Sequence, residues 1–241
     1  MKPNHPAAKP RGRRPAVEDF DVREHMLDTA TRLFAERGIA ATTVAKIAGE
    51  AGVTSAMVHY YFTNREQLLD AVVDERLARV VDFVWRPVEP ETGSDAFAFA
   101  NELVERLFDV TARMPWLPPL WMREIVNEGG LLRERMLKRI PVEHVKRFAS
   151  GVQEAQQAGT VNPELEPVYL FHSILALVML PLATSKIWQS ARGLPRFDRA
   201  MLHRHVRALL GYGMQVPEAS SARAAVKVKA DSKASASRRK P

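Results

Sequence analysis

Thr42, Thr43, Thr54 and Ser55 offer hydroxyls, His59 an imidazole, Tyr60 and Tyr61 phenols, and Arg65 a guanidinium, all within one short stretch of the chain. These groups at these spacings suit hydrogen bonding to an anionic polymer rather than bond-making. Thr42 and Thr43, together with the backbone amides of a helix start, suit phosphate. Ser55, Ala56 and Tyr60 suit base edges, with Ala56 limited to a methyl contact such as thymine offers. Thr54 belongs to the same surface, and His59, Tyr61 and Arg65 suit phosphates. Singly, an ordinary solvated or core residue is the weaker reading of each side chain, and Tyr61 is the one that best suits partial burial in the core.

Catalytic patterns are missing from the sequence. It holds no Gly-rich phosphate loop, no Glu-x-x-His pair and no Gly-x-Ser-x-Gly. His203 and His205 are two apart on a helix, so their rings diverge by about 200° and make a poor metal pair. No catalytic residue, metal or cofactor is expected, and an enzyme built on a helical bundle is the weaker reading.

Helices must position these groups. In TTVAKIAGEAGVTSAMVHYYFTNRE, Thr42 and Thr43 offer N-cap hydroxyls ahead of Val44, Ile47 and Ala48. Gly52 supplies the positive φ of a tight helix–helix turn. Thr54 caps the next helix, in which Val58 and Phe62 lie four apart and point inward. Thr63 and Glu66 have capping-box spacing, so a further helix begins there. Ahead of this unit, residues 19–37 form an amphipathic helix with Leu27, Ala30, Leu33 and Phe34 inward, stopped by Gly38.

The combined pattern resembles the TetR family of transcriptional regulators over residues 23 to 70. It comprises the helix ending at Gly38, then TTVAKIA, then AGV, then HYYF with Arg65. Family members usually carry Gly where this chain has Ala56, often Tyr where it has His59, and Lys where it has Arg65. Arg65 keeps the charge, whereas His59 reaches less far than Tyr. The resemblance implies a helix-turn-helix reader on a helical second domain that dimerises and takes a small organic effector. Beyond about residue 75 it is architectural only.

Charge is unevenly placed. The net charge is +7, yet the first 16 residues hold five basic side chains and no acid, and residues 217–241 hold seven basic and two acidic ones. Residues 17–70 carry nine acids against five bases. Poverty in large apolar groups predicts disorder in both tails. Arg11, Arg13 and Arg14 sit where an arm can track phosphates or enter a minor groove. Whether the C-terminal tail touches DNA is left open by its composition. Absence of cysteine fits a reducing cytoplasm. Residues 1–20 hold no apolar signal core, and no apolar run approaches the roughly 20 residues of a spanning helix.

The organisation expected is a disordered basic arm at 1–16, a DNA-binding unit at 17–70, an effector-binding and dimerisation unit at 71–216 and a disordered basic tail at 217–241. The fold expected is all-α, with about nine helices and no strand. One helix covers 64–86. Pro87 to Gly93 break the chain, and Thr92 or Ser94 caps the next helix. A further helix covers 131–158, kinked or split at Pro141, and another starts at Asn162-Pro163, bends at Pro181 and reaches about 190. Asp198 caps the last.

Two apolar stripes stand out. Leu170, Ile174, Leu177, Val178 and Leu182 line one helix, and Leu202, Val206, Leu209 and Leu210 the other. Helices apolar nearly all round are buried on more than one side, which predicts a homodimer interface. In TetR-like proteins the corresponding helices pair across a two-fold axis as a four-helix bundle. An internal core is the plainer alternative.

The middle helices carry Trp85, Phe99, Leu103, Trp116, Trp121, Met122, Phe148 and Phe171, with Arg123, Asn127, His144 and His172 as spare polar groups. Core packing accounts for most of these. With the resemblance, Trp85, Phe99, Leu103, Trp116, Trp121, Met122, Arg123, Phe148, Phe171 and His172 become candidates for an effector cavity. The function expected is sequence-specific binding of double-stranded DNA at a pseudo-palindromic operator by a cytoplasmic homodimer, with repression released by a small organic effector. An activator, or a non-specific nucleic-acid binder acting through basic tails, remains the alternative.

Overall fold

The computed structural model describes residues 16–87 and 95–217. Arg11, Arg13 and Arg14, the cap sites Thr92 and Ser94, and most of the C-terminal tail lie outside the described residues. Contacts divide the chain after Val72 into two units.

The first unit holds α1 (Ala16–Arg37), α2 (Val44–Glu50), α3 (Ser55–Phe62) and α4 (Arg65–Val72). Helix α1 buries Met26, Leu27, Ala30, Leu33 and Phe34 along one face. It stops where Gly38 takes φ 83° and its N–H donates to Phe34 C=O at 2.9 Å. Ile39, Ile47, Ala48, Val58, Phe62, Leu68 and Leu69 complete the core. Each large side chain buried there contributes about 1.5–3 kcal/mol.

The link between α3 and α4 differs from the expected capping box. Thr63 adopts φ 52° and ψ −55°, and Asn64 N–H donates to Phe62 C=O, forming a γ-turn with positive φ. Asn64 then supplies the cap, its Oδ1 accepting from Gln67 N–H at 2.9 Å. Asn competes well as a cap because its short side chain reaches the N3 amide. The helix therefore starts one residue later than the Thr63–Glu66 spacing predicts.

The second unit opens with a π-helical turn, Val73–Leu77, and continues as α5 (Ala78–Val84), α6 (Ala96–Arg113) and α7 (Leu117–Trp121). A second π-helical turn, Met122–Val126, leads to α8 (Arg133–Leu137), α9 (Val142–Gln157), α10 (Pro167–Ala183), α11 (Ser185–Ser190) and α12 (Arg199–Met214). The described residues contain no strand, as the all-α expectation holds. Among the described residues the helices form twelve α-helical segments, because single expected helices are divided. The 64–86 helix is interrupted by the first π-helical turn. Pro141, which lacks an N–H, separates α8 from α9.

Asn162 does not start a helix. Its Oδ1 accepts from Glu164 N–H at 3.0 Å, while its own N–H and Nδ2 donate to Met214 C=O and Gly213 C=O, both at 2.9 Å. It thereby pins this turn to the end of α12, and Pro167 takes the first-turn position of α10 instead. Asp198 caps α12 as expected, accepting from Met201 N–H at 2.9 Å.

Helix α6 lies at the centre and packs against α5, α9, α10 and α12. Arg199 fixes the start of α12 to it by donating to Phe108 C=O and to Thr111 Oγ1, the latter at 2.7 Å. Burial lowers the Arg199 pKa from its ordinary value. Buried Glu124 accepts from Leu131 N–H at 3.2 Å. The close pass beside it requires Gly130, where a Cβ would stand 2.3 Å from Glu124 C=O.

Candidate nucleic-acid interface and ligand cavity

The reading surface is built from two capped helices and one turn. Thr43 Oγ1 accepts from Lys46 N–H at 3.2 Å, and Thr54 Oγ1 from Met57 N–H at 3.3 Å. A hydroxyl that accepts still carries a proton, so both exposed threonines can donate outward while capping. Gly52 takes φ +67° in the turn, as its residue type predicts. Val53 N–H then closes the turn on Ala48 C=O at 2.9 Å.

Helix α3 is anchored by its inner face. Val58 and Phe62 are buried, and Arg23 lies 5.1 Å over the Phe62 ring. Ser55, Ala56, His59 and Tyr60 are exposed on the other face, Tyr60 at 80%. Tyr60 and Tyr61 meet edge-to-face at 5.1 Å, and Tyr61 is half-buried. His59 Nδ1 is 3.3 Å from Thr63 C=O, which orients the ring along the helix end.

Two residues expected at phosphates make contacts inside the unit. Thr42 is buried, and its hydroxyl donates to Gly38 C=O at 2.8 Å, so only Thr43 presents a hydroxyl outward. The carbonyls after Gly38 need a donor, and Thr42 meets that need. Arg65 is half-buried and donates to Ile39 C=O. Lys46, exposed on α2, is a cation that the sequence reading omitted; its Nζ donates to Ala41 C=O at 3.0 Å. Its place one turn into a capped helix was the available signal.

The five basic residues of 17–70 all have partners inside this unit. Besides Lys46 and Arg65, Arg23 pairs with Glu24 at 3.9 Å, and Arg32 and Arg37 pair with Glu50 at 3.4 and 3.6 Å.

In the second unit a cavity of about 220 Å³ is lined by Trp85, Arg86, Pro87, Asp95, Ala96, Phe99, His144, Arg147, Phe148 and Gly151. Of the predicted effector residues it includes Trp85, Phe99 and Phe148. Phe171 packs against Trp85, the rings tilted by 47° with centroids 4.7 Å apart. Leu103 is fully buried core, and Trp116, Trp121, Met122, Arg123 and His172 are not among the lining residues. Arg86, Asp95, Arg147 and Gly151 were missed, because only packing of α5, α6 and α9 brings them together.

The apolar stripes of α10 and α12 are also redistributed. Leu170, Ile174, Val178, Val206 and Leu210 are buried within the subunit, and Leu170 and Leu210 also line a groove with Tyr169, Ser173 and Leu209. Leu177, Leu182 and Leu202 are half-buried, and Leu209 is exposed. A stripe facing its own core and one facing a partner have the same period, so periodicity does not separate them. The outward face carries Tyr169, Ser173, Ala176 and Leu180 on α10 and Met201, His205, Ala208, Leu209 and Tyr212 on α12. Leu180 and Tyr212 are 47% and 77% exposed.

Two helices joined by a glycine turn, one buried inward and one presenting polar groups outward, define a helix-turn-helix protein with a separate helical unit. The family described as "Bacterial regulatory proteins, tetR family" matches residues 26–72. The chain is 33% identical to the HTH-type transcriptional regulator TtgR of Pseudomonas putida over 97 residues, covering 40% of this chain and 46% of that one. It is 33% identical over 158 residues to the HTH-type transcriptional repressor KstR2 of Mycolicibacterium smegmatis, covering 60% of this chain and 69% of that one. The chain thus spans about half the length of the first of these relatives. Solved structures share the fold. The ketosteroid transcriptional regulator KstR2 of Mycobacterium tuberculosis superposes with TM-score 0.59 at 20% identity, covering 81% of this chain and 95% of that one. A regulator from Saccharomonospora viridis in complex with choline gives 0.61 at 18%, covering 82% and 100%. The chain belongs to the TetR family. No helix among the described residues is long and apolar enough to cross a membrane.

Proposed function

We propose that the protein is a sequence-specific DNA-binding transcriptional regulator that represses from a pseudo-palindromic operator as a homodimer and is released by a small organic effector. The observation that carries this is α3: Val58 and Phe62 lock one face inside, and Ser55, Ala56, His59 and Tyr60 stand exposed on the other. A helix held this way can enter a major groove with its N-terminal residues on base edges. The name of the KstR2 relative, a transcriptional repressor, supports repression over activation.

Dimerisation is supported by the outward apolar face of α10 and α12, since contiguous exposed apolar surface of this kind marks an interface. A two-fold pair presents two α3 helices to half-sites one DNA turn apart. Residues 17–70 form the reader and 71–216 the effector and dimer unit in this reading. The aromatic cavity beside Trp85 supports a small organic effector, as does the choline complex of the Saccharomonospora viridis regulator.

Selection of bound fragments from the source genome, followed by footprinting in competitor DNA, tests the proposal. One protected palindrome is expected. Uniform protection along any DNA would replace this reading with non-specific binding through the basic tails.

A further inference from the structure

Resting on the reading of the Trp85 cavity as the effector site, we infer that this cavity selects a small organic anion, a single aromatic ring bearing a carboxylate. Size sets the first limit. The cavity is about 220 Å³, against the roughly 150 Å³ of an engineered cavity that takes benzene. A volume of this order suits one ring with a short arm.

The walls set the second limit. Phe99 stands 5.4 Å from Phe148 and 6.3 Å from Trp85, giving rings that meet a flat apolar ligand edge-on or offset. Gly151 also lines the cavity, and a Cβ there would meet nothing within 4 Å.

Charge sets the third. Arg86 and Arg147 both line the cavity. Arg86 is held in place: its guanidinium lies 5.2 Å over Phe83, and Arg106 donates to the Arg86 and Val84 carbonyls, the latter at 3.1 Å. Arg147 has no ion-pair partner among the described residues. The one carboxylate among the lining residues, Asp95, is committed, its Oδ1 accepting from Phe97 N–H at 2.8 Å as the cap of α6. Two arginines line this aromatic slot, and a planar carboxylate is the group that arginine binds through paired N–H donors.

The test uses the full chain and three probes of one shape: phenylacetate, its neutral isostere phenylacetamide and cationic 2-phenylethylamine. By calorimetry phenylacetate should bind about tenfold or more tighter than the amide, as a charge-assisted contact requires. Arg147→Gln or Arg86→Gln should erase that preference while leaving amide binding unchanged. Gly151→Leu should remove binding of all three by filling the slot. Equal or better binding of the amide or amine, a preference that survives both arginine changes, or no saturable binding of any probe overturns the inference. Operator affinity, measured in parallel, separates the two readings. Phenylacetate that binds without releasing DNA leaves the anion site standing and removes the effector role. A neutral compound that releases DNA and is blocked by Gly151→Leu does the reverse.

Discussion

Arg65 donates its guanidinium to the carbonyl of Ile39, 26 residues earlier. The contact clasps the start of α4 to the turn after α1, and so braces the frame that holds α3. Arg65→Ala should therefore lower stability by about 1.5–3 kcal/mol, the range for a hydrogen bond from a charged donor. Urea unfolding should show a lower midpoint at unchanged slope. Operator binding should weaken as a consequence. Lost affinity with an unchanged midpoint would restore Arg65 to the phosphate role its charge first implied.

Thr63 occupies a conformation that a β-branched residue adopts at a cost, φ 52° and ψ −55°. Such backbone strain is worth on the order of 1–3 kcal/mol. Thr63→Gly gives back part of that gain through chain entropy, so a net stabilisation of about 1 kcal/mol is expected. Thermal unfolding measures it. A lower Tm for the glycine variant would show that the γ-turn carries no strain.

The sequence displayed its local devices plainly. Thr43, Thr54 and Asp198 cap the helices they precede, Gly38 and Gly52 take positive φ, and Pro141 breaks its helix, because each depends on a few neighbouring residues. Long-range relations were not legible. Arg65 reads as a phosphate ligand until Ile39 C=O, 26 residues earlier, meets it. Ile174 and Tyr169 sit on one apolar helix, yet one is core and the other surface. Only the packing of α6, α9, α10 and α12 decides that.

Side chains on the outward face of α3 should divide by role. Changing Ser55 or Tyr60, both exposed on that face, should alter preference among operator variants by about 1–3 kcal/mol per affected base pair. His59→Ala should weaken binding across all sequences instead. A binding-site selection repeated with each variant shows which occurs. The same uniform loss from all three would refute the division.

All five cations of residues 17–70 are engaged within the reading unit, and acids outnumber them there. Long-range attraction to DNA must then draw on charge elsewhere, and the five basic residues of the first 16 adjoin this unit in sequence. Deleting residues 1–15 should lower operator affinity and flatten its dependence on salt, by roughly one unit of log–log slope for each phosphate no longer neutralised. Titrations at several salt concentrations read this directly. An unchanged slope would assign the attraction to other residues.

The outward face of α10 and α12 should be where two copies meet, and the buried stripe beneath it should not. Tyr212 is 77% exposed in the subunit, so Tyr212→Asp leaves the core untouched. Across a two-fold axis a substitution appears twice, and charges placed in an apolar contact oppose association. Light scattering at micromolar concentration should show a dimer for the native chain and a monomer for Tyr212→Asp, with operator affinity lost because half-sites are then bound singly. Ile174→Val, in a fully buried position, should cost about 0.5–1.5 kcal/mol of stability and leave the dimer intact. A native monomer, or a dimer that survives the charge at Tyr212, would move the interface elsewhere and leave the apolar face of α10 and α12 without a role in assembly.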